Sequence, residues 1–567
     1  MSSHTRRLDA LRADRSELEN HYVDELIAGR LDRRAFLRRG AVIGMSASAM
    51  GAILAACGNA NKVGTASGSA SSSGAAAGGT PKKGGTLQLA AQTPATAMNP
   101  LVVDDGGGLC MLAQTGEFLT FDNNMLLRLE PMLATKWKPN GDGSVWTFTL
   151  LQGVKFYNGQ PLTADDVVYT FKQLSDPKNS SNALSTFTGV LVPSGVRKVD
   201  ASTVAFHLEA PNGNFPYLVS TDNYNAIIVP QGTDFAKWGK TFIGTGPFKL
   251  QSYTQNQGAN FVANSDYWGP KPYLDGTQFK FYESQDPQIL ALQGGTVDVI
   301  TQFVPTGAQA ILNTSQYNII KLKSSNHREL SMRCDQAPFT DARVRRAIAL
   351  SLDRPAMVQA LLHGLGSVGN DTPFAPMFTS TNTSVPQRTQ DIAQAKQLLA
   401  AAGHPHGFSV TMAADIYEEI AQLAQVVKQQ ASAIGVNINL KVESQSAYYG
   451  KAVFGNSDWL DSTMSLVNYG DRGVPNVFLN APLTTHGAWN AAHFHNSTYD
   501  SLVKQYTAAV DLQTQKQIAG KIENLLLEQT PIIIPYWIDG LAATTPAVHG
   551  VNPTGVSQVF LGQTYKS

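Results

Sequence analysis

The sequence predicts an α/β protein with open sheets, divided into more than one domain. Three observations predict it. From Gly84 onward, short β-rich runs alternate with capped helical segments, the pattern of mixed sheets covered by helices. The 567 residues are too many for one hydrophobic core. The composition, 43% hydrophobic and 9% aromatic, is that of a globular chain and excludes fibrous, wholly disordered and multi-span membrane proteins. Basic and acidic side chains both number 43, so no global basic field exists to condense on nucleic acid. With 15% of residues charged, recognition falls to aromatic and hydrogen-bonding surfaces rather than long-range steering.

The first element is an address label. Asp32-Arg33-Arg34-Ala35-Phe36-Leu37-Arg38-Arg39 resembles the twin-arginine export motif, with Asp where Ser or Thr is commoner. Gly40 to Ala56 form an uncharged run ending in Leu54-Ala55-Ala56-Cys57, which resembles a bacterial lipobox. As a helix the run reaches about 26 Å, short of the ~30 Å hydrocarbon core, so it suits a signal h-region better than a permanent span. The resemblance implies a signal peptide over 1–56, acylation of Cys57 and anchoring to the outer face of the cell membrane or in the periplasm. Residues 58–83 contain one sizeable apolar side chain, Val63, and are expected to be a flexible tether after the lipidated Cys57.

The body follows in order. Gly84 to Ala90 reads as a strand start, and VWTFTL after Ser144 as a β-rich run followed by Gly153 and a short VKF run. Thr163 caps a helix, with Asp166 in the acid position of a capping box. Val204–Leu208 and Phe279–Tyr282 are further strands. Asp341–Leu352 and Asp391–Ala402 are helices, the latter stopped by Gly403. Ser501–Glu528 is a pair of amphipathic helical segments, and Ile532–Ile534 a buried strand. No 20–50-residue period exists, which excludes repeat architectures. Of three cysteines, only Cys110 and Cys334 remain for a disulfide once Cys57 is acylated, and the sequence leaves that pairing open.

Six stretches then carry a family resemblance in their expected order. LEPMLATKWKPNGDGSVWTFTLLQGVKFYNGQPLTADDVVYTF (129–171) resembles the extracytoplasmic solute-binding proteins of peptide/nickel-type ABC transporters, solute-binding protein family 5. GTGPFKL (244–250), NSDYWGPKPYLD (264–275), ALQGGTVDVI (291–300), APFTDARVRRAIALSLDR (337–354) and DIAQAKQLLAAAGHPHGF (391–408) agree with it. The resemblance implies a large, class II periplasmic-binding-protein-like fold whose two lobes close over ligand. Lobe one is expected over 84–121, 243–326 and 531–567, an inserted subdomain over 122–242, and lobe two over 327–530. Hinge strands are expected near Asn326–Arg333 and Thr530–Trp537. The implied partners are ABC permease subunits and a captured ligand, an oligopeptide or dipeptide, with a metal chelate, opine or oligosaccharide as alternatives. The chain is expected to be a monomer with no cofactor and no nucleic acid. A sensory receptor shares the fold and differs in its partner.

Candidate site residues follow from the same resemblance. Asp471 opens D-x-x-x-P-x-x-F-L (471–479) and matches the family position that takes a ligand α-ammonium, work suited to a carboxylate in a closing cleft. Asn468 stands where an aromatic residue often precedes that Asp. Asn490, in a second loop resembling N-x-A-H-[YF], is a further polar contact, beside Trp489. Tyr448, Tyr449, Trp459 and Tyr469 concentrate aromatic surface just upstream, as cleft walls or as lobe-two core. On the facing lobe, Asp104-Asp105-Gly106 and Glu117 fall where the family's first ligand loop and helix occur. His493 and His495 are weak metal candidates, with no Cys, Asp or Glu among them. No HExxH, GxSxG or nucleotide-binding glycine pattern is present, so a non-enzyme is expected, with a secreted hydrolase of scattered residues as the remote alternative.

Overall fold

A computed structural model describes residues 81–567; Arg33, Arg34 and Cys57, and with them the export and lipidation expectations, lie outside the described residues. Two seven-stranded sheets organise the described chain. The first runs from Asn318–Leu322 through Gly540–Thr544, Val299–Phe303, Thr86–Gln92, Gly276–Tyr282 and Gly258–Ala263 to Phe248–Thr254. Thr86–Gln92 pairs in parallel with both neighbours, and the outer pairs are antiparallel. Its Leu87, Leu89, Ala90 and Ala91 are all fully buried, as a central strand covered on both faces requires. This sheet is the heart of lobe one.

The second sheet, in lobe two, runs Gly366–Val368, Tyr536–Ile538, His327–Met332, Met464–Tyr469, Phe408–Asp415, Val436–Glu443, with Ile532–Ile533 also paired to His327–Met332. All six positions of His327–Met332 are buried. Separate apolar clusters cover its two faces, one around Ile348, Leu399 and Leu423, the other around Phe478, Tyr506 and Leu526. A four-stranded antiparallel sheet, Ala134–Pro139, Val145–Leu150, Thr203–His207, Val196–Asp200, forms the inserted subdomain and shares a core with lobe one.

Local expectations agree where local chemistry decides. Thr163 and Asp166 close a capping box at helix Ala164–Ser175, and Asp341 and Asp391 cap Ala342–Ser351 and Ile392–Ala401. The long amphipathic stretch divides into Ser497–Ala508 and Leu512–Gln529. VKF forms no strand, contributing a single bridge between Lys155 and Pro161. Cys110 and Cys334 are free thiols, one in each lobe.

The lobe boundary needs correction. Residues 531–538, expected in lobe one, belong to the second sheet: Ile533 lies opposite Leu330, and Tyr536–Ile538 pairs with Gly366–Val368. Ile532, Ile533 and Trp537 are almost wholly buried, and such side chains need cover that a solvent-crossing hinge cannot give. The chain therefore crosses between lobes at Lys323–Asn326 and again at Asp539. An ion pair of 3.0 Å between Lys323 Nζ and Asp539 ties the two crossings together. The inserted segment also begins earlier than expected, with a hairpin of Thr120–Asn123 and Arg128–Pro131.

Candidate functional site

The lobes touch where the inserted subdomain meets lobe two. Gly213 N–H donates to Thr507 O at 2.8 Å, Asn214 Nδ2 to Asn476 Oδ1 at 2.8 Å, and Gln515 Nε2 to Asn214 Oδ1 at 2.9 Å. Deeper in the same junction lies Asp471, two residues beyond strand Met464–Tyr469. Its Oδ1 accepts from Ser324 Oγ (2.7 Å), Ser325 N–H (2.5 Å) and Ser325 Oγ (3.0 Å), all on the first crossing. Its Oδ2 receives no donor among the described residues. A Cβ at Gly555 would collide with that oxygen, so a lobe-one glycine lets backbone approach it.

Two further carboxylates converge here. Asp222 Oδ1 accepts from Gly473 N–H at 2.5 Å. Asp122, from the hairpin, is 6% exposed, and no donor among the described residues reaches its carboxylate. A Cβ on Gly473 would collide with Asp122 Oδ2 and come within 2.9 Å of Asp222 Cγ, so both acids flank one glycine. The adjacent cation, Arg472, donates to the Asp471 carbonyl at 2.7 Å and forms no ion pair among the described residues.

Burial and mutual repulsion dominate the electrostatics. Burial, then Asp222 and Asp471, holds the Asp122 carboxyl well above its usual range. Burial and Asp471 push Asp222 up to about 7, with Arg472 opposing. Asp471 is raised by burial despite its serine donors. The gap beside Asp222, Arg472 and Tyr224 measures about 20 Å³, room for a water and not for a larger guest. This is a conformation with the lobes drawn together.

The other expected residues separate by environment. Tyr469, Trp459 and Trp489 form one aromatic cluster with ring centroids 6.0–6.5 Å apart, and Tyr449 packs on Trp459 at 5.4 Å. The Tyr469 hydroxyl and Trp459 Nε1 are buried without partners among the described residues. Tyr448 is core: fully buried, its hydroxyl bonds Leu466 O at 2.8 Å. Asn468 accepts from buried Arg328, which also pairs with Glu418 and Glu419.

Three expected ligand contacts take internal partners instead. Asn490 braces its own loop, donating to Thr484 O and Phe494 O and accepting from Phe494 N–H. Asp105 caps helix Gly106–Thr115 and accepts from Thr96. Glu117 is 1% exposed and accepts from Thr245 Oγ1, Tyr267 OH and Trp268 Nε1 at 2.6–2.8 Å. Burial pushes it to about 7 despite those donors. Their sequence position near a ligand loop did not reveal that the fold consumes their hydrogen bonds. His493 lies 3.3 Å from Asp335 and packs on Phe454, and His495 joins no cluster with it; among the described residues no three His, Cys, Asp or Glu come together to hold a metal ion.

Asp122, Asp222 and the hinge serines escaped the sequence reading. They meet Asp471 from about 100 to 350 positions away, and no local pattern marks them. The lone signal was FDNN and STDN standing in turn-rich polar contexts, common to any loop.

Relatives share this architecture. Heme-binding protein A of Haemophilus influenzae is 27% identical over 453 residues, covering 74% of this chain and 81% of that protein. The dipeptide-binding protein of Escherichia coli is 26% identical, covering 71% and 80%. The solved structure of HbpA2 from Haemophilus parasuis superposes with a TM-score of 0.75 at 22% identity, covering 85% of this chain and all of that one, and shares its two-lobed fold. The model of the bacterial extracellular solute-binding proteins, family 5, matches residues 128–487. A match over most of the chain, on a two-lobed α/β frame, places this protein in that family of solute-binding proteins.

Proposed function

We propose that this chain captures a ligand with a cationic end, an oligopeptide or dipeptide, between its closing lobes and delivers it to an ABC transporter permease. The observation that carries the reading is Asp471: a carboxylate at the lobe junction, anchored by hinge serines through one oxygen and receiving no donor from the described residues at the other. Ligand sites favour such interfaces, where closure excludes water and strengthens each polar contact. The relatives' names include heme- and dipeptide-binding proteins. A peptide presents an ammonium, which a carboxylate in a closing cleft can hold through a charge-assisted hydrogen bond. Export through Arg33 and Arg34 and an acyl anchor on Cys57 complete the proposal, supported by the leader's residue order.

Calorimetry with the co-purified ligand tests the ammonium contact. Asp471→Ala is expected to weaken binding by about 2–5 kcal/mol, roughly 30- to 4000-fold, because it leaves a buried ammonium alone. An N-acetylated analogue should lose a similar amount on the unmutated protein. If both bind within a few-fold of the reference, the peptide reading falls. Labelled fatty acid should not enter Cys57→Ser, and labelling that persists there removes the lipid anchor.

A further inference from the structure

Where the inserted subdomain meets lobe two, a neutral clasp is built from both sides. On the subdomain, Trp146 Nε1 donates to Asn212 O at 2.9 Å, and Asn212 Oδ1 accepts from Asn214 N–H at 3.0 Å, which shapes the loop 212–214. Its counterpart is the turn between helices Ser497–Ala508 and Leu512–Gln529, where Gln515 Nε2 donates to Ala509 O at 2.9 Å. The two shaped pieces then engage. Gly213 N–H donates to Thr507 O, and the Asn214 amide accepts from Gln515 while donating to Asn476. The approach requires glycine: a Cβ on Gly213 would overlap Ala509 O and crowd Val510 Cα, both of lobe two. Gly213 lies outside the left-handed region, so its missing side chain serves this contact and not its own backbone. Asn476 and Val474 belong to the same stretch as Asp471, and Val474 packs into the core that the subdomain shares with lobe one.

We propose that this clasp is the latch of closure: Gly213 and Asn214, seated on the turn from Thr507 to Val510, hold the lobes together and set how much of the ligand-free chain is closed. The inference rests on the lobes opening and closing as the capture reading requires. The three hydrogen bonds run from lobe to lobe and need no ligand atom, so closure has a driving force of its own. Water answers the same groups when the lobes part, so each bond contributes modestly and one added methyl group at Gly213 is enough to reverse the balance. Affinity for a captured ligand combines binding to the open cleft with the closing equilibrium, and a change at Gly213 acts on the second alone. Through Asn476 the same latch steadies the stretch that carries Asp471.

Gly213→Ala tests it. Small-angle scattering is recorded on the purified chain, freed of co-purified ligand by dialysis and checked by native mass spectrometry. The variant should show a larger radius of gyration than the unmutated protein. Its far-ultraviolet circular dichroism should stay unchanged, which separates a latch from a structural role. Asn214→Ala adds no atoms and removes two of the bonds, so it should shift the radius the same way by less; it decides the question if Gly213→Ala does not fold. Equal radii for the unmutated protein and both variants overturn the latch. A mixed tripeptide library, with retained peptides quantified by mass spectrometry, supplies the second arm: retention by Gly213→Ala should fall at least about tenfold. Undiminished retention by a variant whose lobes have parted overturns the link between latch and affinity. Failure of the unmutated protein to retain any tripeptide counts against the peptide reading alone, because the scattering comparison still decides the latch.

Discussion

Asp371 and Asp122 are both nearly inaccessible carboxylates, in different regions of the molecule, and their surroundings are opposite. Asp371, fully buried in lobe two, accepts from Arg354 at 2.8 and 2.7 Å, from Arg388 at 2.6 Å and from Ile534 N–H at 3.2 Å. Asp122 accepts from none of the described residues, and two other acids face it. Glu117 stands between these extremes, held by three neutral donors. The same fold that brings two guanidiniums to one acid withholds them from another. At Asp371 the charge is answered internally; at the lobe junction burial and neighbouring acids instead push the Asp122 carboxyl above its usual range.

Breaking the satisfied site should have the largest effect. Arg354→Met removes a charged partner, whose Nη2 donates to both oxygens of a fully buried acid, and is expected to cost about 3–5 kcal/mol in denaturant unfolding, as severed buried pairs do. A loss below about 1 kcal/mol would erase the contrast with the junction. Relieving the unsatisfied site should act oppositely. Asp122→Asn is expected to raise ligand-free stability at pH 8 by roughly 1–3 kcal/mol. The sign follows from the raised carboxyl: the folded state binds more protons than the unfolded, so stability falls as pH rises above the ordinary carboxylate range. The variant's gain should therefore shrink toward pH 4. Glu117, at about 7, adds a decline of the same sign confined between about pH 4.5 and 7. A gain from Asp122→Asn that is equal at pH 4 and pH 8 would contradict the charge argument. The smallest effect belongs to the crossing pair: Lys323 is half exposed, so Lys323→Met should cost under about 1 kcal/mol and lose its remaining effect in high salt.

Much of the frame was legible because it is local. Thr163 with Asp166, Asp341 and Asp391 announce helix starts through hydrogen bonds spanning two or three residues. The lobes were legible through ordered family blocks. The tail was not, since Ile532 to Ile538 continue smoothly toward Gly540 and nothing in sequence says which sheet they enter. Asp471, singled out by its spacing from Pro475 and Phe478, stands at the lobe junction against the crossing serines. Asn490, Asp105 and Glu117 carried the right chemistry at expected positions, but hydrogen-bond satisfaction is a property of packing. Asp122 and Asp222 matter through what is missing around them, which no linear pattern records.

The strand Gly540–Thr544 has a consequence for how the molecule is made. It lies between Val299–Phe303 and Asn318–Leu322, bonded to both, so the sheet of lobe one keeps a vacant slot until residues near the end of the chain emerge. Lobe two, by contrast, is one continuous segment from His327 to Ile538, and its ends pair with each other, His327 opposite Trp537. During vectorial synthesis the later-encoded lobe can therefore finish first, while the earlier one waits for its closing strand across more than two hundred residues of sequence separation. Loss of the chain from Asp539 onward would strand lobe one incomplete and leave lobe two whole, so truncation there should yield a half-folded product rather than a shortened working protein.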